Sequence, residues 1–283
     1  MKMLKKSKTK ISLLTVINLF TLITTITIIP SCSKVPIIGR RQLNLLPESE
    51  MMSTALVQYN SFLKENPPLA ATDVNAEMVK NIGNKMSQAV IKFMAQNNLS
   101  SRIAGYNWEF NLVDNKEANA WCMPGGKVVV YTGLLPITRD ENGLAFVMGH
   151  EIAHAIARHG NERMSQQLAL QSGGVALDIA LSQQPAQTRQ LYNMAYGVGT
   201  QIGATLPFSR LHESEADKLG LIFMAVAGYD PRQSPQLWSR MSAAGGSKPP
   251  VFLSTHPSDQ KRQKEMEDFM PKAMKYYIAS KAN

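Results

Sequence analysis

Residues 143–157 read GLAFVMGHEIAHAIA, an apolar run whose only ionisable side chains are His150, Glu151 and His154. Just before it stand Thr138, Arg139, Asp140 and Glu141, with a threonine and a glutamate at capping-box spacing. Leu144, Val147, Met148 and Ile152 recur at helical spacing, and no proline intervenes before the charged segment Arg158 to Arg163. The run therefore predicts a helix with Thr138 as its N-cap. Successive helical residues turn by about 100°, which sets His150 and His154 roughly 40° apart on one face, one turn above the other.

Two imidazoles so placed can grip one metal ion. Glu151 projects towards the same point, over the position a water would take. This is the HExxH arrangement, two metal-ligating histidines with a glutamate as general base. A catalytic zinc needs a third protein ligand and one open position, which directs attention to Arg210 to Asp217, the opening of a second apolar helix. Glu213 and Asp217 are four apart and share a face, whereas Glu215 points about 200° away from it. Glu213 is the expected third ligand, and Asp217 the acceptor that orients a ligating imidazole through its other ring nitrogen. An acidic helix start favoured by the macrodipole would explain several carboxylates without a metal. His159, about 140° round the helix from His154, is expected at the surface, and His212 is expected to point away from the metal.

Composition narrows the function classes. A hydrophobic content of 44% in 283 residues supports a substantial core. The formal charge of +9 falls to +4 once Lys2, Lys5, Lys6, Lys8 and Lys10 are set aside, and no basic, aromatic-interleaved stretch remains. Nucleic-acid binding is not expected. Those lysines precede the apolar stretch Ile11 to Ile29 and then Ser31-Cys32, which resembles a bacterial lipoprotein signal with lipidation at Cys32. A single N-terminal membrane helix is the alternative. Either exports the rest of the chain, and Ser33 after the cysteine resembles lipoproteins sent to the outer membrane. The expected organisation is a signal peptide over 1–31, a tether over 32–47 that either lies against the main domain or simply holds it, and one domain over 48–283. With Cys32 acylated, Cys122 has no partner for an intramolecular disulfide.

Along that domain, helices are expected from about Glu48 to Lys64 and, capped by Asp73, from there to about Asn97, with Val74, Met78, Ile82, Met86 and Val90 as its apolar stripe. Tyr106, Trp108, Phe110 and Leu112 alternate with polar residues as in a half-buried strand. A hairpin follows, Ala118 to Met123, the turn Pro124-Gly125-Gly126, then Lys127 to Tyr131. The sum is an α+β chain in which a small antiparallel sheet precedes the HExxH helix. If Lys127 to Tyr131 or its partner is an edge beside the metal, a peptide could pair with it, making Asn119, Val128, Val129 and Val130 candidate substrate-binding residues; a strand that only buries Val128 and Val130 is the other reading. Gly173-Gly174 and Pro185 read as helix breaks, and Gly197, Gly199 and Gly203 as close helix packing rather than a dinucleotide loop.

The stretches Asn119 to Leu135, His150 to His154, Glu213 to Asp217, Thr255-His256-Pro257 through Arg262, and Gly39 to Leu43 together resemble the zinc metallopeptidase family of HtpX, the CAAX prenyl proteases and the BepA-like periplasmic proteases, most of all its bacterial outer-membrane lipoproteins. The resemblance implies a mostly helical gluzincin-type domain and one Zn2+ held by His150, His154 and Glu213, with Glu151 as base. It also implies that His256 and Arg262 stand at the cleft, as oxyanion-stabilising groups or, for His256, as a cap on the metal. The implied function is a zinc metalloendopeptidase of the cell envelope, a lipid-anchored hydrolase at the outer membrane facing the periplasm. It would degrade unfolded or misassembled polypeptides in protein quality control, with outer-membrane protein assembly machinery as a possible partner. The alternatives are a latent or inactive zinc protein serving as a chaperone or binding module in that assembly, and a purely structural zinc with His256 as fourth ligand.

Overall fold

A computed structural model describes residues 32–172, 209–244, 250–257 and 260–282. The readings at Gly173-Gly174, Pro185 and Gly197 to Gly203, like those on residues 1–31, lie outside the described residues. In order, the elements are strands β1 (Cys32–Lys34) and β2 (Arg41–Leu43), helices α1 (Glu48–Glu65) and α2 (Val74–Gln96), and strands β3 (Glu109–Val113), β4 (Ala120–Met123) and β5 (Lys127–Tyr131). Then come α3 (Glu141–Ala157), α4 (His159–Ser172), α5 (Arg210–Val226), α6 (Ser234–Ala244), the short α7 (Val251–Thr255) and α8 (Gln260–Lys281). The chain is thus mostly helical with a small sheet, as its patterning predicts.

Local chemistry explains most boundaries. The Asp73 carboxylate accepts from the backbone N–H groups of Asn75 and Ala76, as expected of an N-cap. Of the predicted stripe on α2, Ile82, Met86 and Val90 are buried, whereas Val74, in the first turn, is 74% exposed. The cap of α3 differs from expectation. Thr138 closes a separate turn, Leu135–Thr138, donating its hydroxyl to Leu135 O; Arg139 then takes a positive φ of 69°, and Asp140 becomes the N-cap, accepting from Gly143 N at 2.8 Å. A left-handed residue shifted the helix start by two positions, which a spacing rule cannot foresee.

The sheet has the order β3-β5-β4 and is mixed. β4 and β5 form the expected antiparallel hairpin, turned through Gly125 and Gly126 at φ +88° and +82°. β5 inserts between β4 and β3 and so runs parallel to β3, contrary to a wholly antiparallel sheet. Its alternating residues divide two cores. Phe110, Leu112, Val128 and Val130 face α2 and α3, while Trp121, Val129 and Tyr131 face Met51, Ala55 and Tyr59 of α1.

Buried on all sides, α3 is the spine of the molecule. It crosses α5 at two glycines: a Cβ on Gly220 would stand 2.9 Å from His150 N, and one on Gly149 would stand 3.0 Å from Gly220 O. Backbone-to-backbone contact therefore brings the HExxH helix against the helix that carries Glu213. The far end of α3 is held by Arg102, whose guanidinium donates to Ile156 O at 2.8 Å and Ala157 O at 3.0 Å, carbonyls that a helix end leaves without partners. Residues 32–43 fold as an antiparallel β1–β2 hairpin that lies against this body, with Arg40 ion-paired to Glu162 and Glu215.

Candidate metal centre

Helical spacing on α3 and α5 brings His150, His154 and Glu213 together, and the residue after α7, His256, joins them in one buried cluster whose ligand atoms all lie within 4.8 Å of one another. His150 Nε2 is 3.0 Å from His154 Nε2 and 3.4 Å from Glu213 Oε2, and His154 Nε2 is 3.3 Å from Glu213 Oε1. His256, just past α7, sets Nδ1 3.1 Å from Glu213 Oε1 and 3.3 Å from His150 Nε2. Bonds of about 2.0–2.2 Å to a tetrahedral zinc hold its donors roughly 3.3–3.6 Å apart. The cluster has nearly that size, and its nitrogen and carboxylate donors are those zinc takes, so the residues fit the ion.

The surrounding groups fix the donors. Asp217, one turn after Glu213, places Oδ1 3.0 Å from His150 Nδ1. Arg262 of α8 donates to both Asp217 oxygens at 2.8 Å, to Pro257 O at 2.7 Å, and lies 2.8 Å from Glu213 Oε2, its guanidinium 4.2 Å above the Trp238 ring. With its donors pointed at these acceptors, Arg262 braces Glu213 and Asp217. Phe252 stacks on His256 at 4.4 Å and fixes that ring in turn. Glu151 sits on the same turn as His150, its Oε1 3.5 Å from His256 Nε2.

Electrostatics follow from this burial. Desolvation raises the Glu151 carboxyl above its ordinary range, the direction useful to a group that accepts and returns a proton. Burial would also raise Glu213 and Asp217, but it is outweighed: the neighbouring His256 and Arg262 hold Glu213 well below the usual range, and Arg262 with His150 lowers Asp217. Burial drives His154 well below its ordinary value, towards the neutral form that binds metals. At His150 burial is outweighed by Asp217 and Glu213, and the ring is pushed up to about 9.

Two expectations are corrected here. Val128, Val129 and Val130 belong to the central strand, backbone-paired on both sides, so they cannot receive a peptide; β3 and β4 are the edges, and β4 is the one that packs on α3. Asn119 is buried beside that edge, its Oδ1 accepting from Ala120 N. His159 is not at the surface. α3 ends at Arg158 in the left-handed conformation, so the helical wheel does not extend to His159, which turns inward until its Nδ1 is 3.0 Å from His154 Nδ1. His212 does point away from the cluster, with Nε2 3.0 Å from Glu162 Oε2 and its ring stacked on His159. Sequence reasoning gave no partner to His159 or Glu215, although both lie within five residues of the motifs, and named Arg40 only within the stretch Gly39 to Leu43.

Residues 81–269 match the family model described as Peptidase family M48. The chain belongs to that family. Among curated relatives, this M48 chain is similar to the mitochondrial metalloendopeptidase OMA1 of Schizosaccharomyces pombe, 38% identical over 61% of the chain and 50% of that protein. It is similar to the OMA1 of Bos taurus, 32% identical over 85% of the chain and 46% of that protein. It also resembles the beta-barrel assembly-enhancing protease of Yersinia pestis, 34% identical over 55% of the chain and 33% of that protein. The M48 chain spans about half the length, or less, of these relatives. The OMA1 proteins were not anticipated from the sequence, the assembly-enhancing proteases were.

Proposed function

We propose that the protein is a zinc-dependent endopeptidase in which His150, His154 and Glu213 hold one Zn2+ and Glu151 is the general base. The observation that carries this reading is the buried cluster of two imidazoles and a carboxylate at zinc dimensions, with Glu151 on the adjacent turn. Bound there, zinc would polarise a peptide carbonyl and acidify water. Glu151 takes the proton from the attacking water and delivers it to the leaving amine, a role its raised pKa suits. An extended polypeptide would pair with β4, the edge strand beside α3, which makes unfolded or misassembled chains the natural substrates.

The resemblance to lipoprotein signals supports a lipid anchor at Cys32, an outer-membrane location facing the periplasm and a part in quality control. Similarity to beta-barrel assembly-enhancing proteases supports a link to outer-membrane protein assembly. Among the described residues no helix is long and apolar enough to cross a membrane. In the deciding experiment, Glu151→Gln retains zinc at wild-type stoichiometry but no longer cleaves an unfolded protein; retained cleavage would falsify the mechanism.

The position of His256 favours a second reading, a latent zinc protein acting as a binding module. Its Nδ1 stands with the other three donors and would close the fourth position. His256→Ala separates the cases: cleavage rises if His256 is a cap, falls if it assists the reaction, and metal and stability are lost together if the zinc is structural.

A further inference from the structure

Behind the four-donor cluster lies a second polar group whose members beyond His154 the mechanism does not use. It starts at His154, whose Nε2 faces the cluster and whose Nδ1 lies 3.0 Å from His159 Nδ1. The other nitrogen of His159, Nε2, is 3.1 Å from Glu215 Oε2. Arg40 then donates from Nε to Glu215 Oε1 at 2.6 Å and from Nη2 to Glu215 Oε2 at 3.0 Å, and from Nη1 and Nη2 to the two oxygens of Glu162 at 2.8 and 2.7 Å. His212 Nε2, 3.0 Å from Glu162 Oε2, completes the group.

These contacts have one consistent direction. A His154 that offers Nε2 to a metal carries its proton on Nδ1 and donates it to His159 Nδ1; His159 is then protonated on Nε2 and donates to Glu215. Each donor meets an acceptor, and the chain ends on a guanidinium that faces two carboxylates at once, a geometry a planar five-donor fork provides and an ammonium does not. Arg40 fills the space between Glu162 and Glu215. It reaches that point from the loop between β1 and β2, where Val35 N donates to Arg40 O at 2.8 Å and Gly39 adopts φ +80°.

We propose that Arg40 is a positioning residue for the metal centre: by bridging Glu215 and Glu162 it holds His159 against Nδ1 of His154 and so fixes that ligand's tautomer and ring orientation. Groups bonded directly to a ligating imidazole, the place His159 takes, typically contribute ten- to a hundredfold in metal affinity, and Arg40 acts through Glu215 and His159 at the lower end of that range. The inference rests on His154 being a zinc ligand, as proposed above, and extends the centre to a residue 114 positions away, in the β1–β2 hairpin.

The test uses the full chain, with zinc affinity measured by chelator competition and ligand geometry by the visible spectrum of the cobalt-substituted protein. Arg40→Ala is expected to weaken zinc binding by about tenfold and to shift the cobalt bands while circular dichroism stays unchanged. Arg40→Lys, which keeps the charge but cannot span both carboxylates, should stay close to Arg40→Ala. Wild-type affinity and bands in Arg40→Ala, or full recovery in Arg40→Lys, overturn the proposal. If Arg40→Ala does not fold, His159→Gln must weaken zinc binding at least tenfold, and unchanged affinity there overturns it equally. A wild-type chain that binds no zinc defeats the metal-site reading as well; a wild-type chain that binds zinc, beside variants that bind it alike, defeats only the role of Arg40.

Discussion

At the scale of single residues, the centre shows how strongly a ligand depends on what lies behind it. Asp217 touches no substrate, yet it receives His150 on one side and Arg262 on the other. Asp217→Asn removes the charge that both partners face, so zinc affinity should fall ten- to a hundredfold in a chelator competition while the fold survives. His150 and His154, and the shared face of Glu213 and Asp217, were legible because each pair is a local pattern set by helical geometry, whereas His256 entered through the family resemblance alone. His159 was not legible, since a wheel projection presumes that the helix continues, and a single left-handed residue, Arg158, ended it. Glu215 was read correctly as facing away from the metal. What it faces instead is another part of the chain, and no spacing rule carries that information.

At the scale of elements, the site is a crossing of two helices rather than a loop. Gly149 and Gly220 let α3 and α5 meet through their backbones, and that closeness sets the separation between the histidine pair and Glu213. A methyl group at Gly220 would press on His150 N, Cα and the Gly149 carbonyl carbon, none of which is a flexible side-chain end. Gly220→Ala should therefore destabilise the protein by about 1–3 kcal/mol in urea unfolding, and weaken zinc binding by forcing the donors apart. The hairpin turn and the helices α1 and α2 were readable from turn chemistry and caps. The parallel pairing of β3 with β5 was not, because which slot a hairpin enters is settled by the cores on its two faces.

At the scale of the whole molecule, the β1–β2 hairpin, α4 and α5 are joined through charge. Burial would raise Glu162, but Arg40 and His212 outweigh it and hold the carboxyl at about 2. Because the folded value is depressed, its stabilising contribution is complete above the ordinary value of 4.5 and is lost as pH falls towards 2. Melting temperature should thus decline over that interval, and Glu162→Gln should decline less steeply; equal slopes would assign acid sensitivity elsewhere. The same hairpin has a consequence for reach. Cys32 and Arg40 are eight residues apart, at most about 26–29 Å even if pulled straight, and they are folded back rather than extended. If Cys32 carries the acyl chain proposed for it, the cleft travels on a leash of a few nanometres. Polypeptides lingering at the bilayer surface would then meet it at high effective concentration, while chains free in the compartment would be sampled far less often.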